Sequence, residues 1–319
     1  MKHIFIINPA AGKGKSLELI PYIQECFKDK ENDELIIEMT KHPGHAEAIA
    51  KMYSVAEECR IYSVGGDGTV NEIVNGIAGT SASLGVIPTG SGNDFIRSLN
   101  IAPDIQNDIK TLILHTINGT AKTIDFAKVN EKYFINISSI GFDANVVFNA
   151  DKFKKKPGIT GSMAYLLSII YTVFKHKISK IRVDIDGEKL SIDALLVAVA
   201  NGKYYGGGMM PAPEAVLDDG LMDICMVSEV SRIKILNLFP KYMKGRHSVI
   251  NEVSFYKAKR LFIDSDEDLC VNIDGEIISA RTVKFEIIEA GTKIIIPQSQ
   301  TDIEDNRQSA GMIESSVAE

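Results

Sequence analysis

SVGGDGTVNEIVNG, residues 63–76, sets three glycines around one aspartate where an apolar run passes into a helix-like one. Arg60 to Val64 reads as a buried strand and Thr69 to Ile77 as a helix. Gly65, Gly66 and Gly68 let another group approach the backbone, while a helix starting near Thr69 offers unpaired N–H groups and a positive dipole end. Together they predict an anionic group lodged against this loop. Asp67 would repel a bare phosphate, so its expected use is to orient a water or Mg²⁺ that bridges to one. The simpler alternative makes Asp67 a helix cap between turn glycines.

Two more loops of this kind flank the first. NPAAGKGKS, Asn8 to Ser16, follows the strand His3 to Ile7. It misses the P-loop pattern because Pro9, which has no N–H, takes the first glycine position. It misses the dinucleotide fingerprint too, since Leu17 stands where a third glycine belongs. A tight structural turn and a phosphate-binding loop remain equal readings of this segment alone. PTGSGNDF, Pro88 to Phe95, follows the strand Leu84 to Ile87, with Asn93 and Asp94 able to cap the next helix. Three glycine loops beyond three strands of one sheet point to a polyphosphate ligand.

The strands Glu34 to Met39 and those named above alternate with helices over Lys15 to Lys28, His45 to Glu58 and Thr69 to Ile77. This order predicts a doubly wound parallel α/β sheet, with ligands beyond its carboxyl edge. From about Thr123 strands dominate: 123–129, 133–139, 181–185, 194–200, 222–226, 260–264, 269–274 and 283–288 suggest a β-rich sandwich with helices inserted near 162–175 and 232–243. We therefore expect an α/β domain over residues 1–125, a sandwich over 126–292 and a disordered polar tail over 298–319. The strand 293–296 is free to complete either domain.

The chain has 319 residues, 45% of them hydrophobic, which is enough for two cores. Its 35 basic and 42 acidic residues leave a net charge of −7, which excludes a general attraction for nucleic acid. The four cysteines are far apart and form neither a zinc motif nor a disulfide framework. The amino terminus lacks signal-peptide features and the longest apolar run, 163–174, is too short to span a bilayer. A cytoplasmic protein is expected. The basic run KFKKK, 152–156, leaves peripheral contact with an anionic membrane open, though such a run is usually a solvated face, and a homodimer is also left open.

GGDGTxNE, the NPxxGxG-like loop and PTGSGNDF, in this order and spacing, resemble the diacylglycerol kinase catalytic-domain superfamily, in particular its soluble bacterial lipid kinases. The resemblance covers nearly the whole chain up to about residue 297 and departs only slightly, with Ser91 where the bacterial branch usually has Thr. It implies a first domain like those of NAD kinases and phosphofructokinases, with ATP contacts at Asn8, Pro9, Ala10, Ala11, Gly12, Thr40, Gly65, Gly66, Asp67, Gly68, Thr69, Val70, Asn71 and Ser91. A β-sandwich would then close an acceptor cleft, and the reaction would be Mg²⁺-dependent phosphorylation of a diacylglycerol-like or other long-chain lipid alcohol.

NIDGEI, 272–277, resembles the family's catalytic segment, making Asp274 and Glu276 a base and its support without saying which is which. If the segment stays extended, both side chains point to one face. Asp-Gly also signals a hairpin turn, and we read the second DGE, Asp186 to Glu188, as only that. AVLDDGLMDI, 215–224, resembles a structural metal loop in which Asp219 supplies a carboxylate and Val216 and Leu221 supply carbonyls to Mg²⁺. NGKYYGGGMMPAPEA, 201–215, looks like a glycine-rich wall of the acceptor site, where Tyr205, Met209 and Met210 could line an apolar cleft. Two other readings stay open: a kinase of a soluble acceptor such as NAD, and a regulator that binds ATP without turnover.

Overall fold

A computed structural model describes residues 1–55, 58–154, 167–168, 171–173, 175 and 178–298. The chain begins β1 (Lys2–Ile7), α1 (Lys15–Glu18), α2 (Ile20–Glu25), β2 (Glu34–Met39), α3 (His45–Ser54), β3 (Cys59–Gly65), α4 (Asp67–Ile77) and β4 (Ser83–Pro88). Short helices α5 (Asp94–Arg97), α6 (Pro103–Gln106) and α7 (Ile109–Ile117) follow. The expected helix over 15–28 is broken at Leu19, just before Pro21. Proline has no N–H to continue a helical ladder, which explains the break.

The strands of this half are parallel in the order β4-β3-β1-β2. Successive residues of β1 serve opposite faces: Ile4 and Ile6 pack against α3 and α4, while Phe5 and Ile7 meet Ile23, Phe27, Ile113 and Ile117. This is the two-sided burial of a parallel sheet covered by helices. The strand order reverses between β1 and β3, so the loops after these two strands face each other across the switch point where open α/β sheets bind ligands.

The second half contains β5 (Thr120–Val129), β6 (Lys132–Phe134), β7 (Ile137–Gly141), α8 (Phe142–Lys154), β8 (Ser179–Ile185), β9 (Glu188–Ala200), β10 (Met222–Ser228), α9 (Arg232–Met243), β11 (Val253–Ala258), β12 (Arg260–Ile273) and β13 (Glu276–Ile296). β7 and β8 lie end to end between the long strands β9 and β12. The single strand expected over 133–139 is two strands. The N–H groups at the break, Ile135 to Ile137, turn to the Asp274 carboxylate instead of a neighbouring strand. Helix α8 and strand β11 had no clear signal in the sequence. Most of the helix expected near 162–175 lies outside the described residues, as does the expected tail beyond Gln298.

β13 joins the two halves. Its first part pairs with β12, its second with β5, and Lys293 and Ile294 pair in parallel with Ser83 and Leu84 of β4. The strand turns at Ala290, where φ is +50°, and the Ala290 N–H donates to Asp125 Oδ1 at 2.7 Å. One hydrogen-bonded strand path therefore runs from β11 to β2.

Candidate active site

The three glycine loops meet at the carboxyl edge of the parallel sheet. The Asn8 side chain crosses from the first to the second, with Nδ2 donating to Thr69 Oγ1 at 3.2 Å. Its Oδ1 accepts the Ala10 N–H, and its carbonyl accepts the Ser16 hydroxyl, which turns the chain through Pro9 and Ala11. Thr40 stands on the same edge after β2, its N–H donating to Ile7 O. A side chain at Gly12 would strike the Thr89 carbonyl, and one at Gly90 would come within 2.5 Å of Gly66 Cα. The loops are glycine-rich partly because their backbones pack against each other.

Packing does not explain Gly68. It is exposed in the first turn of α4, has no positive φ, and a Cβ there would meet nothing within 4 Å. Glycine in a helix is disfavoured relative to alanine by about 1 kcal/mol. The helix N-cap, Gly66, provides no side-chain hydrogen bond. Open space and an uncapped helix start fit a group brought in from solution. Val70 is buried in the core and its N–H donates to Gly66 O at 3.2 Å, while Ser91 is exposed on the third loop.

Asp67 lies inside α4 and caps a different helix. Its Oδ1 accepts the N–H groups of Asp94 and Phe95 at 2.7 and 3.1 Å, and a side chain at Gly92 would crowd its Oδ2 at 2.8 Å. Asp94 is buried, its Oδ2 accepting the Gly207 N–H at 2.7 Å across the cleft. Burial pushes its pKa up, and the nearby Asp67 charge adds to this. Asp94 Oδ1 is a buried acceptor with no hydrogen bond; Arg97 Nε is 3.7 Å away. Two adjacent carboxylates with an orphaned oxygen suit a hydrated divalent cation shared with phosphates. Asp94 entered the sequence reading only as a helix cap; its neighbourhood with Asp67 required the fold.

Across the cleft, Asp274 and Gly275 form a two-residue hairpin turn with φ of +44° and +102°, and Ile273 pairs with Glu276. The segment is not extended, so Asp274 and Glu276 do not share a face. This corrects the conditional reading above, because both turn residues adopt the positive φ that such hairpins require. Asp274 Oδ2 accepts from Asn71 Nδ2 at 3.1 Å, Ile135 N at 2.9 Å and Asn136 N at 3.4 Å, and Oδ1 accepts from Ile137 N at 2.8 Å. Burial pushes its pKa up to about 6, against the pull of these donors. Among the described residues, the Lys132 ammonium is the partner of the Glu276 carboxylate, and both side chains are about half exposed. Lys132 and Asn75, which exchanges hydrogen bonds with the backbone of Tyr133, had no role in the sequence reading.

The loop 201–215 contributes both to the cleft and to an apolar cavity of about 20 Å³. Gly207 binds Asp94, while Tyr205 and Met209, bridged backbone to backbone, line the cavity with Phe142, Leu196, Ile235 and Tyr242. Its polar feature is Asp143, whose Oδ2 accepts the Tyr205 hydroxyl at 2.5 Å, while the Tyr205 and Tyr242 hydroxyls lie 2.9 Å apart. Burial pushes Asp143 up to about 6.

In the loop expected to bind a structural Mg²⁺, both carboxylate oxygens of Asp219 have protein partners. Asp219 Oδ1 takes the Leu221 N–H at 3.2 Å, and Oδ2 holds Lys257 Nζ at 2.6 Å. Among the described residues no group of three or more His, Cys, Asp or Glu side chains could hold a metal ion. No helix among them is long and apolar enough to cross a membrane.

Two family models match. Residues 2–129 match the diacylglycerol kinase catalytic domain, and residues 136–296 match the YegS C-terminal NAD kinase beta sandwich-like domain. The chain is 27% identical over 299 residues to a diacylglycerol kinase of Bacillus subtilis (strain 168), covering 93% of this chain and 97% of that protein. It is 30% identical over 304 residues to a diacylglycerol kinase of Staphylococcus aureus (strain Newman), covering 92% and 91%. A crystal structure of a diacylglycerol kinase from Bacillus anthracis str. Sterne superposes with a TM-score of 0.69 at 24% identity, over 92% of this chain and 96% of that one, a likeness of fold.

Proposed function

The chain belongs to the diacylglycerol kinase family of lipid kinases, and from that premise we propose that it transfers the γ-phosphate of ATP to the hydroxyl of a diacylglycerol-like lipid. The observation that carries this reading is the position of α4. Its uncapped first turn opens onto the glycine loops, and one turn later Asn71 holds the hairpin that carries Glu276. One rigid element thus spans the distance from phosphate site to acceptor site.

Phosphoryl transfer depends mainly on positioning and on neutralising charge, with a base to take the hydroxyl proton. The glycine loops and the α4 N-terminus would hold the nucleotide phosphates. Asp67 and Asp94 would hold Mg²⁺, which neutralises charge on the transferred group. The family likeness and the orphaned Asp94 oxygen support this assignment.

Between the two carboxylates of the hairpin, Glu276 is the better base. Both oxygens of Asp274 already accept protein N–H groups, three of them from consecutive backbone positions, so a substrate hydroxyl would have to displace one. Asp274 holds the hairpin to α4 and to the break between β6 and β7. Glu276 must leave or share its Lys132 partner and accept the hydroxyl proton as the oxygen attacks phosphorus and ADP departs. The family likeness supports a lipid acceptor over a polar one such as NAD; the apolar cavity, at about 20 Å³, is too small to hold an acyl chain. Because such an acceptor resides in bilayers, catalysis would take place at a membrane surface.

The test is transfer of labelled γ-phosphate from ATP to diacylglycerol in mixed micelles with Mg²⁺, comparing wild type, Glu276→Gln and Asp274→Asn. Glu276→Gln should lose roughly 10²–10⁴-fold in kcat with an unchanged melting temperature. Asp274→Asn should lose stability as well, by about 1.5–3 kcal/mol, because an amide NH₂ would replace a charged acceptor. Label in NAD but in no lipid would overturn the acceptor assignment. ATP binding with no transfer to any acceptor would favour a regulator.

A further inference from the structure

We infer that the Lys257 ammonium is the resident cation of the loop 215–224, and that this loop keeps its structure without a metal ion. The family resemblance implied Mg²⁺ here, held by Asp219 and the carbonyls of Val216 and Leu221. The structure instead gives Asp125, Asp218 and Asp219 protein partners and leaves Asp223 Oδ2 within ion-pair range of one, without a hydrogen bond. Asp219 Oδ2 lies 2.6 Å from Lys257 Nζ, and Asp223 Oδ2 lies 3.4 Å from the same nitrogen. Asp218 pairs with Lys122 at 2.8 Å. Asp125 receives the Gly220 N–H on Oδ2 and the Ala290 N–H on Oδ1, while its own N–H donates to Leu217 O.

The placement of Lys257 follows from register. β10 and β11 are antiparallel with Asp223 directly opposite Lys257, and side chains opposite each other across a strand pair stand within contact distance. The Asp223 side chain is largely buried, with 10% exposure, while Asp219 is an exposed residue whose side chain keeps 25% exposure. An ammonium is a compact charge with three donors, enough to bridge two carboxylates. Mg²⁺ demands a near-octahedral oxygen shell, and here one carboxylate oxygen and the space beside it are already taken. The same chain therefore carries its own countercharge.

The decisive measurement is thermal unfolding of the full chain without nucleotide, so that no nucleotide-bound Mg²⁺ contributes and the result is independent of the kinase reading. Wild type should purify without stoichiometric metal by elemental analysis, and its Tm should not move with EDTA or with millimolar Mg²⁺. Lys257→Met should melt roughly 2–4 °C lower, because Asp219 and Asp223 then face each other without countercharge. Added Mg²⁺ should recover part of that loss in the variant alone, and Lys257→Arg should behave as wild type. A wild-type Tm that falls with EDTA, one metal ion per chain, or a Lys257→Met variant as stable as wild type would each overturn the inference. If Lys257→Met fails to fold, the wild-type chelation and metal-content arms still decide it.

Discussion

Asn71 Nδ2 donates to Asp274 Oδ2 at 3.1 Å across 203 residues of sequence, tying the helix that starts at the glycine loop to the hairpin that carries Glu276. Asn71 is buried, and Asn75 one turn on secures the same helix to Tyr133. Asn71→Ala should therefore lower kcat by roughly 10–100-fold, the worth of a hydrogen bond to a charged group, with a smaller effect on KM for ATP. Asn71→Asp should be worse, since it sets two carboxylates against each other. Steady-state kinetics of the two variants check this order.

Gly68 should separate stability from binding. Gly68→Ala meets no protein atom within 4 Å and relieves the helix of a glycine, so the protein without nucleotide should gain about 0.5–1 kcal/mol. If phosphates approach there, ATP affinity should fall roughly tenfold or more, equivalent to about 1.4 kcal/mol. Gly90→Ala should lose on both counts, because its Cβ would press on Gly66 Cα and force the second and third loops apart. Thermal melts with and without ATP distinguish the two.

Asp67 has two roles that substitution can divide. Asp67→Asn keeps Oδ1 as acceptor for the Asp94 and Phe95 N–H groups and should melt close to wild type, with transfer nearly abolished. Asp67→Ala removes the cap as well and should cost a further 0.5–2 kcal/mol or so. Equal stability of the two variants would show that the cap contributes nothing.

Asp143 sets a pH signature. Burial raises its folded pKa to about 6 from 3.8, so the folded state binds this proton more tightly than the unfolded chain. Its favourable contribution is complete below about pH 4 and is lost as pH rises through about 6. Between pH 7 and pH 4 wild type should gain up to about 3 kcal/mol relative to Asp143→Asn, whose amide carries no charge to bury. Parallel unfolding slopes for the two proteins across that range would refute the assignment.

Much of the fold is legible in the chain's own patterning. The runs of β1, β3 and β4 lie within one or two residues of their expected bounds, because a parallel strand buried on both faces is rich in apolar residues. The break between β6 and β7 was not legible, since it depends on where the Ile135 to Ile137 N–H groups find an acceptor. Helix α8 was missed for a related reason: it is polar at Asp143 and Asn149, and the partners that satisfy them, Tyr205 and Thr172, come from elsewhere in the chain.

The two DGE segments show where local information stops. Asp186-Gly187 and Asp274-Gly275 adopt the same turn, with φ near +49° and +100° in one and +44° and +102° in the other, and each closes a two-residue hairpin. The sequence by itself determined that geometry, because the φ preferences of Asp and Gly act within the turn. Tertiary structure decided the rest: Asp186 accepts the N–H groups of Lys259 and Arg260, whereas Asp274 accepts those of Ile135 to Ile137 and the Asn71 amide. In the same way an Asp-Gly loop could be read from residues 219–220, but only the β10–β11 register brings Lys257 to Asp219 and Asp223. Turn shape is a short-range property, while the partner of a buried carboxylate depends on strand pairings that connect distant parts of the chain.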